Sequence, residues 1–117
     1  NDWDASVNRK LLDTWGVEHL GVCYDLGNAA GAGKDLCEEI LLLQDRIKEF
    51  HIKDKPYNGS SVMLGEGAVN FPKVMGSVRD MEIRVPFIFE SYYGESAIED
   101  TFKNIRYFKN VLTELNL

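Results

Sequence analysis

Histidine and cysteine are both scarce in this sequence, with two of each among 117 residues. Cys23 and Cys37 stand too far apart for a C-x-x-C pair, and no finger-type spacing occurs. That excludes a disulfide framework and a structural zinc knot, and leaves two reduced thiols. Basic runs are absent as well: 13 Lys and Arg face 19 Asp and Glu, for a net charge of −6. A nucleic-acid binder needs a basic face to displace counterions from phosphate, so no nucleic-acid partner is expected. The same acidity gives no attraction to anionic membranes. The longest apolar stretch falls far short of the ~20 residues that span a bilayer, and no signal-peptide pattern opens the chain. A cytoplasmic protein without a membrane partner is expected. Low-complexity segments and long linkers are also missing. What is present is an ordinary globular composition, 44% hydrophobic and 27% charged, at a length that suits one domain over residues 1–117.

The chain alternates strand-like and helix-like stretches. Val7 to Trp15 reads as a first helix. Leu20 to Tyr24 is a short apolar run that ends at Asp25, and Gly27 to Gly33 follows as a loop. Asp35, with Glu38 three residues on, has the spacing of a capping box. Leu36, Ile40, Leu43 and Ile47 then recur on one face of an amphipathic helix. Phe50 to Ile52 is the second strand, with Lys53 and Asp54 at its end, before a polar loop rich in glycine and serine. Asn70 before Phe71-Pro72 starts another helix, whose apolar face is Val74, Met75 and Val78. Val85 to Phe89 is the third strand, ending at Glu90. Ser96 and Glu99 form a second capping-box spacing, and Ala97, Ile98, Phe102, Ile105, Phe108, Leu112 and Leu115 carry a stripe to the C-terminus. The order α-β-α-β-α-β-α predicts parallel βα repeats.

Each strand ends in a metal-competent side chain: Asp25, His51 and Glu90. In parallel α/β folds the site lies at the C-terminal strand ends, where the loops converge. Two carboxylates and an imidazole delivered there suit a divalent ion such as Mn²⁺, Mg²⁺, Co²⁺ or Zn²⁺. Singly, an Asp at a strand end reads as a helix cap, and a lone His in an apolar strand as a satisfied core residue. A Glu ending an apolar strand is more telling, because burying an unpaired carboxylate is costly.

Four segments carry a family resemblance: Tyr-Asp-Leu-Gly-Asn (24–28), Phe-His-Ile-Lys-Asp (50–54), Leu-Gly-Glu-Gly-Ala-Val-Asn-Phe (64–71) and Phe-Ile-Phe-Glu-Ser (87–91). In this order and spacing they resemble the last three strand ends of sugar phosphate isomerases and epimerases of the xylose-isomerase-like superfamily, which are (β/α)₈ TIM barrels. The resemblance runs from about Leu20 to the C-terminus. It implies that Asp25, His51 and Glu90 are metal ligands and that Glu90 is also the catalytic acid/base. Mn²⁺ is the first expectation for the metal. Asn28 stands where many relatives place a His that contacts substrate. Lys53 would point toward substrate or a nearby carboxylate, or make a surface salt bridge with Asp54 or a neighbour. Gly65, Glu66 and Gly67 would border the substrate pocket. The implied substrate is a sugar or sugar phosphate, and the implied chemistry is proton transfer next to a carbonyl through an enediolate, with the metal polarising the oxygens.

Besides Asn28, the sequence departs from that pattern at a second point. The family's first glutamate ligand lies on an earlier strand, and Glu18 is not at a strand end of its own. A full barrel needs about 250 residues and eight strands, so three strands read as a partial barrel, a C-terminal fragment. Its inner face and sheet edges would be open, which predicts self-association into a homo-oligomer. The alternative function is therefore a catalytically inactive barrel fragment, or an oligomerising module without the full metal site. A metal-dependent DNA-repair endonuclease of the same superfamily would need more histidines and a basic groove. A flavodoxin-like domain would need a phosphate turn that Gly27, Gly31 and Gly33 do not form. Trp3, Trp15 and His19 are expected to be structural.

Overall fold

The computed structural model describes residues 4–15 and 18–117; Trp3 lies outside them. The elements run α1 (Ala5–Trp15), β1 (Val22–Asp25), α2 (Leu26–Gly31), α3 (Leu36–Leu43), β2 (Ile47–Ile52), α4 (Phe71–Asp80), β3 (Phe87–Phe89) and α5 (Ala97–Glu114). The strands form one parallel sheet in the order β1-β2-β3. Among the described residues both outer strands keep a free edge. The architecture is α/β, three consecutive βα units of an open parallel sheet, as the resemblance implied.

The sheet separates two chemistries by side-chain alternation. Tyr24, Phe50 and Ile52 are fully buried against the helices, together with Ile40, Leu43, Phe71, Met75 and Val78. Ring contacts tie this layer to α5: Phe50 lies 5.9 Å from Phe87, and Phe87 lies 5.3 Å from Phe108. The opposite face carries Cys23, Asp25, Glu49, His51, Ile88 and Glu90. A register shift between Val22 and Cys23 pairs Val22 with Ile47 but Cys23 with Glu49. Lys48 is thus an extra residue in β2, a bulge that turns Ile47 toward the helices and Glu49 and His51 to the other face.

Several boundaries differ from the sequence expectation. Ile47 opens β2 and is not the last turn of α3; it sits four residues after Leu43, so helical spacing could not separate them. The expected loop at Gly27 begins instead as α2. Asp25 caps that helix, its Oδ1 accepting from the Asn28 N–H at 2.7 Å. Gly27 is required there for close approach, since a Cβ would lie 2.6 Å from Lys53 Cγ. Asp35 and Asn70 cap α3 and α4 as expected. Ser96 makes no side-chain cap bond; Asp100 instead accepts from the Gly94 N–H at 3.0 Å. The buried face of α5 is Asn104, Phe108 and Val111, and Ile98 and Phe102 of the expected stripe are exposed.

Candidate metal centre

The register delivers the three strand ends to one place. Asp25 pairs with His51 across β1 and β2, and Ile52 pairs with Phe89. The Glu90 N–H continues that ladder to the Ile52 carbonyl at 3.2 Å. Ligand atoms of Asp25, His51 and Glu90 all lie within 4.8 Å of one another. His51 Nδ1 is 2.7 Å from Glu90 Oε2 and 3.8 Å from Asp25 Oδ2. Asp25 is buried, His51 half-buried and Glu90 exposed.

Lys53, two residues beyond His51 on the same face, extends its ammonium between the carboxylates. Its Nζ is 3.3 Å from Asp25 Oδ2 and 3.2 Å from Glu90 Oε2. Of the destinations open to it in the sequence, the structure shows the nearby carboxylates Asp25 and Glu90 and not Asp54. Burial alone would lower the Lys53 pKa, but the charges of Asp25 and Glu90 outweigh it and the net shift is upward. Glu90 is held below the ordinary carboxylate range, chiefly by its hydrogen bond to Lys53 and then by His51, against some desolvation. The cluster is therefore two carboxylates that have gathered a cation. Two carboxylate oxygens and an imidazole nitrogen are also the donor set that divalent ions of intermediate hardness take, so the residues present fit such an ion.

The other expected residues occupy the surroundings. Asn28 gives its N–H to Asp25, and its Oδ1 lies 3.4 Å from Lys55 Nζ. Gly65 and Gly67 are bound not to the cluster but to Asp54. That carboxylate is fully buried and accepts from the N–H groups of Gly65, Gly67 and Val69 at 2.9, 2.9 and 3.1 Å. Gly65 has φ +90° and sits against the Tyr107 ring, and a Cβ at Gly67 would overlap the Asp54 carboxylate. Glu66, between them, is exposed. Asn104, buried in α5, completes the clamp by accepting from the Leu64 N–H and donating to the Tyr92 carbonyl. Asp54 was visible as part of the Phe-His-Ile-Lys-Asp segment, yet its role depends on a loop eleven to fifteen residues downstream that no local pattern signals.

A second group, Cys23, Glu49 and His51, also brings its ligand atoms within 4.8 Å of one another. Burial, and then a hydrogen bond to Glu49, pushes the Cys23 thiol up to about 11. Among the described residues no fourth Asp, Glu, His or Cys joins either group. Glu18 lies in an exposed turn before β1.

With this geometry in place, the sequence comparison decides the family. Residues 4–111 match the family described as xylose isomerase-like TIM barrel. The chain belongs to that family. Among curated proteins it is 29% identical over 100 residues to the probable L-ribulose-5-phosphate 3-epimerase UlaE of Mycoplasma pneumoniae, covering 85% of this chain and 33% of that protein. The fold matches a xylose isomerase domain protein from Planctomyces limnophilus with a TM-score of 0.85 at 17% identity, over 99% of this chain and 46% of the other. It also matches a xylose isomerase-like TIM barrel protein from Mycobacterium smegmatis in complex with magnesium, with a TM-score of 0.71 at 19% identity, over 95% of this chain and 40% of the other. The three-stranded sheet is thus a portion of a TIM barrel wall, and the chain spans about a third of the length of the curated relative. Among the described residues, no helix is long and apolar enough to cross a membrane.

Proposed function

We propose that Asp25, His51 and Glu90 hold a divalent cation and that the chain serves isomerisation or epimerisation of a sugar or sugar phosphate. The observation that carries this reading is the convergence of three strand-end ligands around the Lys53 ammonium, a position already suited to a cation. A divalent ion bound there supplies Lewis-acid polarisation of a substrate carbonyl. Glu90, ionised at neutral pH and exposed toward the open face, is the group that takes a proton from the carbon beside that carbonyl. His51 and Asp25 orient the donor set, and Asp25 is itself fixed by capping α2. Lys53 offers an ammonium to substrate oxygens once the carboxylates engage another cation. Asn28 lies beside Asp25, and the Gly65-Glu66-Gly67 turn is the segment assigned to border the substrate in this reading, with the exposed Glu66 as its side chain. Magnesium in a structural neighbour supports the divalent class, and Mn²⁺ is the ion to test first. The named substrate of the curated relative makes L-ribulose 5-phosphate the first sugar to test.

The test is solvent-deuterium exchange: incubation with Mn²⁺ and L-ribulose 5-phosphate in D₂O, with deuterium read at the carbon next to the carbonyl. Incorporation that Glu90→Gln abolishes supports the reading. A chain that binds Mn²⁺ but incorporates no deuterium favours the second reading, a non-catalytic barrel module. What favours that alternative is the lack of a fourth ligand, and with it a second acid/base carboxylate, in the cluster among the described residues. We further propose that the chain self-associates through its uncovered sheet face, where Cys23 and Ile88 are exposed. A strictly monomeric mass by light scattering at high concentration would rule this out.

A further inference from the structure

The inner sheet face holds one carboxylate that the cation reading leaves without a task. Glu49 precedes His51 by two residues on β2, so both side chains emerge on the same face, and the bulge at Lys48 is what turns Glu49 there. The two ring nitrogens of His51 face different partners. Nδ1 faces Glu90 Oε2 at 2.7 Å and Asp25 Oδ2 at 3.8 Å. Nε2 faces Glu49 Oε1 at 3.7 Å. Cys23 and Glu49 could be taken, with His51, for a second metal set, but both sets draw on one imidazole. A neutral imidazole has one lone pair to give and one N–H to place, so the two sets exclude each other. Asp25 and Glu90 offer the harder, doubly anionic pair and already gather a cation.

We propose that Glu49 is a positioning residue for His51, accepting its Nε2–H and so presenting the Nδ1 lone pair to a cation held with Asp25 and Glu90. The inference rests on the cation reading above. The proton count is balanced. Taking up a cation moves the single proton of a neutral ring from Nδ1, where it faces Glu90, to Nε2, beside Glu49, so no proton is gained or lost. At 3.7 Å the Glu49–His51 contact exceeds the ~3 Å of a direct hydrogen bond. A torsion of the half-buried Glu49 side chain, or one bridging water, spans the difference. A carboxylate behind a ligating imidazole fixes the ring and raises its basicity, and losing such a partner costs about 10–100-fold in metal affinity.

The experiment compares Glu49→Gln and Glu49→Asp in the full chain. Long-range ¹H–¹⁵N spectra of the protein saturated with Mg²⁺, a diamagnetic ion, read the His51 Nε2 resonance, and calorimetric titration with Mn²⁺ reads affinity. The expected result is that Glu49→Gln moves the Nε2 resonance and weakens Mn²⁺ binding about 10–100-fold, while Glu49→Asp, which keeps the carboxylate, restores most of the affinity. An unmoved Nε2 resonance in Glu49→Gln overturns the inference, even if affinity falls, because the effect is then one of net charge. Wild-type affinity in Glu49→Gln overturns it too and leaves the cation reading standing. A wild-type chain that takes up neither Mn²⁺ nor Mg²⁺ removes the cation reading and the positioning role that rests on it.

Discussion

Replacing Asp54 by alanine should be among the most damaging single changes in this chain. The carboxylate is fully buried and accepts three backbone N–H groups, from Gly65, Gly67 and Val69. Hydrogen bonds to a charged group contribute about 1.5–3 kcal/mol each, and a buried donor left unpaired costs about 1–3 kcal/mol. Gly65 is exposed and its N–H can turn to water, whereas the Val69 N–H is buried. The expected loss is therefore about 3–5 kcal/mol, a large share of the roughly 5–15 kcal/mol that holds a typical domain. Asp54→Asn keeps one acceptor oxygen but turns an NH₂ toward the remaining donors, so about half the loss is expected. Urea denaturation followed by circular dichroism reads both. With a slope near 1.5 kcal/mol/M, a loss of 3 kcal/mol lowers the midpoint by about 2 M. A loss below about 1 kcal/mol for Asp54→Ala would refute the reasoning, because the loop would then be held by something other than this carboxylate.

Two further outcomes follow from the charge cluster. Lys53→Met removes the ammonium that lies between Asp25 and Glu90, so Mn²⁺ should bind about five- to tenfold tighter by calorimetry; unchanged or weaker binding would contradict the competition. Lys53 and His51 hold the Glu90 pKa down, so its contribution to stability is present above the unfolded value near 4.3 and is lost as pH falls through the lower folded value. Acid unfolding curves of the cation-free protein should accordingly show a shallower loss between about pH 5 and pH 3 for Glu90→Gln than for wild type, and coincident curves would argue against the pairing.

Strand ends, helix caps and the parallel order were legible in the sequence because each has a local signature. Asp35 and Asn70 announce their helices, and three apolar runs each finish on a ligand-type side chain. What was not legible depends on long-range geometry. Leu43 and Ile47 share a helical spacing across a turn, so the start of β2 was hidden. The bulge at Lys48, which decides that Glu49 and not Lys48 shares the face of His51, is a property of strand pairing. Ser96 carries a cap signature but Asp100 takes the nearby N–H, a competition between two local rules. The convergence of Asp25, His51 and Glu90 was anticipated from their equivalent places in three repeats, whereas the ammonium of Lys53 between two of them was only one of several options.

The most direct test of the account is a calorimetric titration of Mn²⁺ into the wild-type chain and into Asp25→Asn, His51→Ala and Glu90→Gln. Asn at position 25 still accepts the Asn28 N–H and so preserves the α2 cap while losing the ligand charge. The account predicts saturable wild-type binding that each substitution weakens at least about tenfold, the 1.4 kcal/mol expected on losing one ligand. Absence of saturable binding, or binding that all three variants retain, would contradict the claim that these strand ends form one cation site.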